Sequence, residues 1–136
     1  MDCIFCKIVC GEIPAYKLYE DEITLAILDI NPITPGHTLL ISKEHYPTLL
    51  ETPPEVLSKI IKSSYPVVRA IVKGLAAEGY NLLLNNNRCA GQLIPHLHFH
   101  IIPRRANDGV SFHWSPNPAR PEELTQLATK IRSHLA

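Results

Sequence analysis

The sequence predicts an α+β domain: a five-stranded antiparallel sheet with one long helix on a face, a short N-terminal helix and a C-terminal helix. Three observations carry this. Residues 96–102 alternate histidine with apolar side chains, the two-residue period of a half-buried strand. Residues 53–75 repeat apolar side chains at three- and four-residue steps, the period of one long amphipathic helix. The remaining strand candidates are joined mostly by short links, which favour antiparallel pairing.

Along the chain, Asp2 to Val9 suits a short helix that Gly11 ends, with Ile4, Phe5 and Ile8 on one side. Tyr16 to Glu20 and Glu22 to Ile30 read as strands joined by a turn at Glu20-Asp21, and the second runs into Asp29. Asn31 to Gly36 is a loop, and Pro35-Gly36 is the natural centre of a type II turn. His37 to Ser42 forms a third strand. Pro66 interrupts the helical stretch, where a proline costs roughly 3 kcal/mol, so a kink or two helices are expected near Ser63 to Tyr65. Tyr80 to Asn85 is a fourth strand and Asn85 to Gln92 a polar loop. The histidine strand follows, bracketed by Pro95 and Pro103. Arg104 to Pro118 lacks periodicity and reads as an extended tail. Pro121 to Leu135 makes a last helix, with Leu124, Leu127, Ala128 and Ile131 as its stripe.

The chain has 136 residues, enough for one domain, with a core over about 3–105 and a tail and helix over 106–136. Thirteen basic and thirteen acidic residues balance, so nothing marks a nucleic-acid or membrane-surface partner. No apolar run is long enough to span a bilayer, and no signal-peptide pattern opens the chain. A cytoplasmic protein is expected. Four cysteines are present, and Cys3 and Cys6 form a C-x-x-C pair. In a reducing compartment such a pair suits metal or redox chemistry better than a disulfide, and no strand precedes it as in a redox motif. Cys10 and Cys89 read as packing.

In a strand His96, His98 and His100 share one face at intervals of roughly 7 Å, opposite Leu97, Phe99 and Ile101. One histidine there reads as a solvated polar residue. Three in alternation point to a site, because imidazole serves near neutrality as nucleophile, acid, base and metal ligand.

His96-x-His98-x-His100 resembles the signature of the histidine triad (HIT) superfamily. The likeness extends to Cys3-Ile4-Phe5-Cys6-Lys7-Ile8, Gly11-Glu12-Ile13-Pro14, Leu28-Asp29-Ile30-Asn31-Pro32, Pro35-Gly36-His37-Thr38-Leu39, Lys43-Glu44-His45-Tyr46, Asn81 to Asn85 and Ala90-Gly91-Gln92, all in order. The resemblance implies a HIT-like fold and a nucleotide hydrolase or nucleotidyl transferase acting at the α-phosphate of a purine nucleotide derivative. The implied substrates are dinucleoside polyphosphates or nucleoside phosphoramidates. It implies His98 as a nucleophile that forms a nucleotidyl-histidine, with His96, His100 and Gln92 completing the catalytic set. It implies nucleotide binding by Asp29, Asn85, Gln92 and His37, with Ile4, Phe5, Ile8, Ile27 and Leu28 around the base; each of these apolar residues reads equally well as ordinary core. Some members with the C-x-x-C opening hold a structural zinc, and the resemblance matches its ligands here to Cys3, Cys6, His45 and His96. The chemistry itself requires no cofactor. The family is typically a two-fold dimer, so a homodimer across the long helix and fourth strand is expected. One position departs from the pattern: Leu93 stands where the family often has serine or threonine. It keeps open a second reading, a nucleotide-binding regulatory protein with little turnover.

Overall fold

The computed structural model describes residues 2–112 and 114–135; His113, in the expected tail, lies outside them. The element order is α1 (Ile4–Val9), β1 (Lys17–Glu20), β2 (Thr24–Leu28), β3 (Thr38–Ser42), α2 (Pro54–Leu75), β4 (Gly79–Leu84), β5 (His98–Arg104) and α3 (Pro121–Arg132). Short 3-10 turns at Leu49–Glu51 and Arg88–Ala90 precede α2 and β5. The five strands form one antiparallel sheet in the order β1-β2-β3-β5-β4. The α+β architecture is the one the periodicities predict.

The two-residue period sorts the sheet into two faces. Ala26, Leu40, Phe99 and Ile101 pack beneath Ile60, Val67 and Ile71 of α2. Leu25, Ile27, Leu39 and Ile41 pack beneath Phe5 and Ile8 of α1. In register, His98 lies beside Ile41 and His100 beside Leu39, so both histidines occupy the α1 face. The short α1 covers only part of that face, and the histidines stand in the part it leaves open.

Two expectations change. Helix α2 is continuous through Pro66, so the two-helix alternative is not realised. The proline removes one donor, while Ile60 and Val67, on either side, are both buried against the same sheet and hold the helix in register. Pro103 lies within β5 instead of ending it, paired with Tyr80. By that point β3 has run out, because its last pair with β5 is Thr38 with Ile101; β5 is locally an edge and spares the missing donor. Helix α3 forms where it is expected, and Leu124, Leu127 and Ile131 of its stripe are exposed.

The predicted type II turn is present. The His37 N–H donates to the Thr34 carbonyl at 3.0 Å, and Gly36 has φ +93°. A Cβ on Gly36 would overlap the Leu75 side chain of α2, so the turn also seats the loop against the helix.

Candidate active site

His96 lies two residues before the start of β5, on the same side as His98, and Phe5 of α1 meets both rings. Its side chain is fully buried, and Nε2–H donates to the Ser42 carbonyl at 2.7 Å. That bond fixes the proton on Nε2 and leaves the Nδ1 lone pair free. Nδ1 points at three other donors: Cys3 Sγ at 3.2 Å, Cys6 Sγ at 3.6 Å and His45 Nδ1 at 3.1 Å, while Cys6 Sγ lies 3.4 Å from His45 Nδ1. A tetrahedral zinc with ordinary bond lengths separates its ligand atoms by about 3.3–3.8 Å. The four residues therefore fit a closed zinc site, as their identities predict. Burial pushes the Cys6 thiol up; a divalent cation reverses that preference. The expected alternation holds: all three histidines lie on the α1 side, and Leu97, Phe99 and Ile101 lie together in the core under α2. His96 reaches the cysteines at the start of α1 from that same side.

His98 is the first residue of β5, and its ring donates from Nδ1 to the His96 carbonyl at 2.7 Å. The remaining nitrogen, Nε2, therefore carries a lone pair. Burial holds His98 below the usual imidazole range, so the ring is neutral near pH 7. Phe5 meets it edge-on with ring centroids 4.9 Å apart and fixes its plane.

His100 is positioned by a second chain of bonds. The Ile33 N–H donates to His37 Nδ1 at 3.1 Å. With Nδ1 accepting, a neutral His37 carries its proton on Nε2, which lies 3.0 Å from His100 Nδ1. His37 donates there, and His100 in turn keeps its own proton on Nε2. Burial, and then the neighbouring His98 and His37, lower His100 to about 4. Asp29 Oδ2 lies 3.7 Å from His37 Nε2, and Asp29 Oδ1 accepts the Asn31 N–H. Asp29, His37 and His100 also cluster closely enough to suggest a metal. The Ile33 bond argues against one, because a metal at His37 Nε2 would need the proton on Nδ1, facing another N–H.

Asn85 follows β4, and its amide makes no hydrogen bond among the described residues; it is available to a ligand. Gln92 is buried and committed: Nε2 donates to the Pro47 carbonyl, and Oε1 accepts the Asn87 N–H. Its first role is to brace the loop after β4. Of the residues expected around the base, Phe5 and Ile8 of α1 are buried in one cluster with Ile27 of β2, and Ile4 of α1 is exposed. Leu28 is a correction. As the neighbour of Ile27 in a strand it points to the other face, where it lines a cavity of about 500 Å³ with Leu18, Pro66 and Ala70. Leu93 is 74% exposed. The participants that sequence reasoning missed are backbone groups: the Ser42, His96 and Pro47 carbonyls and the Ile33 N–H. Backbone groups have no residue signature.

The model of the family described as HIT domain matches residues 10–107. The chain is 46% identical to a protein of Arabidopsis thaliana named adenylylsulfatase HINT3, over 98% of this chain and 70% of that one. It is 43% identical to the adenosine 5'-monophosphoramidase hnt1 of Schizosaccharomyces pombe, over 99% of each. Among solved structures, a HIT family member from Bacillus subtilis superposes with a TM-score of 0.94 at 40% identity, covering 100% of this chain and 99% of that one. A zinc-bound histidine triad protein from Mycobacterium smegmatis superposes with a TM-score of 0.78 at 41% identity, covering 96% and 98%.

Proposed function

Because the chain belongs to the HIT family, we propose that it is a nucleotidyl hydrolase or transferase acting at the α-phosphate of a purine nucleotide derivative through a covalent nucleotidyl-histidine. The observation that carries this is the 2.7 Å bond from His98 Nδ1–H to the His96 carbonyl, which leaves Nε2 as the free nucleophilic nitrogen of a neutral ring. The names of similar proteins, an adenylylsulfatase and an adenosine 5'-monophosphoramidase, favour adenylyl groups on a small leaving group, sulfate or an amine. Dinucleoside polyphosphates are the alternative.

In the first step His98 Nε2 attacks phosphorus and forms a P–N bond. The bond to the leaving group breaks, and its electron pair departs with the sulfate, amine or nucleotide. Water then attacks the same phosphorus. The P–N bond breaks, its electrons return to Nε2, and the nucleoside monophosphate and a proton leave. His100 Nε2–H faces the phosphoryl oxygens and donates to them as charge develops. Asn85 holds a phosphate or ribose oxygen. Asp29 accepts from the ribose hydroxyls. Ile4, Phe5, Ile8 and Ile27 flank the base.

Zinc at Cys3, Cys6, His45 and His96 is part of the proposal. All four positions are protein ligands, so the metal supplies structure and leaves no open position for substrate. Its thiolates need a reducing compartment, which supports a cytoplasmic location, and all four cysteines are free. No helix among the described residues is long and apolar enough to cross a membrane. A homodimer would cover the unpaired edge of β4, where Tyr80 and Leu82 are exposed, as are Ile61 and Tyr65 of α2. Light scattering at micromolar concentration should give twice the chain mass, and a monomer mass would refute the dimer.

A hydrolysis panel tests the activity: adenosine 5'-phosphoramidate, adenylyl sulfate, and diadenosine tri- and tetraphosphate. Turnover of at least one, with a quench-trapped P–N adduct, is the expected result. Nucleotide binding without turnover of any would favour the regulatory reading that Leu93 keeps open. An apolar, exposed side chain there gives no proton to a poor leaving group. Leu93→Ser should therefore raise kcat/KM for the phosphoramidate more than for the polyphosphates. Equal changes would mean that Leu93 does not set leaving-group preference.

A further inference from the structure

We infer that Cys3 and Cys6 form a reversible oxidation site: a peroxide converts the pair to a disulfide, expels zinc and loosens the hold of α1 on the nucleotide. The inference rests on the zinc reading above and goes beyond it, from a structural metal to one whose retention depends on thiol redox state.

The pair is placed for closure. Cys3 is the N-cap residue of α1, and Cys6 lies in its first turn, three residues on. Side chains at that spacing are neighbours on a helix. Both Sγ atoms point at one nitrogen, His96 Nδ1, at 3.2 and 3.6 Å, and all ligand-type atoms of the cluster lie within 4.8 Å of one another. A disulfide brings its sulfurs to about 2.0 Å, so rotation of the two side chains supplies most of the approach. Both thiols are free and partly exposed, which lets a small oxidant reach them from solvent. Cys10, the next cysteine after α1, turns its Sγ to the Lys7 carbonyl at 3.4 Å and stands outside the cluster.

The chemistry balances. A divalent cation holds both sulfurs as thiolates, the form that attacks a peroxide. One Sγ attacks a peroxide oxygen, the O–O bond breaks, and hydroxide leaves a sulfenic acid on that sulfur. The second thiolate attacks the sulfenic sulfur, the S–S bond forms, and a second hydroxide leaves. Two electrons pass from the sulfurs to the peroxide. The cation keeps only His45 and His96 and is released. A dithiol reductant returns the electrons, and the thiolates rebind zinc.

Zinc joins α1 to two segments far away in the chain, through His45 after β3 and His96 before β5. The same helix carries Ile4, Phe5 and Ile8, the proposed flank of the base, and Phe5 meets the His98 ring at 4.9 Å. Without the metal α1 stays on the sheet, because Phe5 and Ile8 remain packed with Leu25, Ile27, Leu39 and Ile41. The fold persists, and what is lost is the tie at the start of the helix, beside Ile4 and Phe5.

Full-length, zinc-loaded protein is treated with hydrogen peroxide while a zinc indicator, thiol counting and peptide mapping follow it. AMP affinity is measured before treatment, after it, and after dithiothreitol and zinc are returned. Zinc and two thiols should be lost together, with a Cys3–Cys6 crosslink, and the AMP Kd should rise several-fold and then recover. The double variant Cys10→Ser/Cys89→Ser should respond as wild type does. Zinc retained while Cys10 and Cys89 oxidise, or a Cys6–Cys10 crosslink in place of Cys3–Cys6, overturns the site. Zinc released at unchanged AMP affinity overturns the link to the nucleotide, and unfolding on oxidation, seen by circular dichroism, overturns the claim that the sheet keeps α1. Protein that carries no zinc as purified and takes up none on titration overturns the zinc reading and this inference together. The zinc and crosslink readouts need no nucleotide, so they decide the oxidation site whichever substrate is turned over.

Discussion

In the Cys3–Cys6–His45–His96 cluster a backbone carbonyl accepts a hydrogen bond from His96 Nε2–H, and in the Asp29–His37–His100 cluster a backbone N–H donates one to His37 Nδ1. The first arrangement turns a lone pair toward its neighbours and suits a cation. The second turns an N–H toward its neighbour and suits a chain of directed protons ending at His100 Nε2. Both clusters hold histidines and further groups of metal-ligand type, and all their ligand-type atoms lie within 4.8 Å of one another. Residue identity and proximity do not separate them. The backbone partner of one ring nitrogen does. His98 lies between the two, bonded to His96 on one side and with its ring 5.0 Å from that of His100 on the other.

The largest effect should come from the residue between the clusters. His98→Ala should lower kcat by about 10⁴-fold or more, as removal of a covalent nucleophile does elsewhere. Nucleotide affinity should stay within a few-fold, since the proposed phosphate and ribose contacts come from other residues. Retained turnover would end the covalent reading. The next effect separates the clusters by stability. Cys6→Ser should cost the metal and several kcal/mol of folding stability, because structural zinc binding is folding free energy. Metal content and Tm check this together, and a variant that loses metal with an unchanged Tm would deny the staple.

A smaller effect is expected in the other cluster. His37→Ala should lower kcat about 10–100-fold through loss of the His100 tautomer, with metal content and Tm nearly unchanged. Loss of zinc in this variant would show that the clusters are not independent. The mildest test is pH. Burial, with the neighbouring His98 and His37, lowers His100 to about 4 in the folded chain, against about 6.5 unfolded. Between those values the unfolded state binds more protons, so stability rises with pH. The contribution is full above about 6.5 and is lost as pH falls toward 4. Tm should therefore be flat from pH 8 to 7 and decline below 6.5, less so in His100→Gln. A Tm that declines equally in both would place the acid sensitivity elsewhere.

Much of this was legible in the chain. The positions of α1, of the long α2 and of all five strands follow from period and turn residues, to within a residue or two at most ends. The residues of the Cys3–Cys6–His45–His96 cluster are legible as a set, though not which ring nitrogen His96 turns toward it. Ile27 and Leu28 were expected around the same base; alternation in β2 puts Leu28 against α2. Gln92 was expected at the phosphate, and its amide braces the loop to Pro47. The stripe of α3 is correctly amphipathic, yet amphipathicity does not say what covers it.

The sequence by itself determined the elements, their apolar faces, the chemistry-bearing side chains and the family. Those follow from local periodicity, turn chemistry and residue type, which neighbours in the chain decide. Only the tertiary structure decided which ring nitrogen of each histidine is free. That choice depends on a carbonyl or N–H: 54 residues away for His96, two for His98 and four for His37. Every residue but proline carries both groups, so only the packed chain brings one of them within 3 Å or so of a ring and settles where the proton sits.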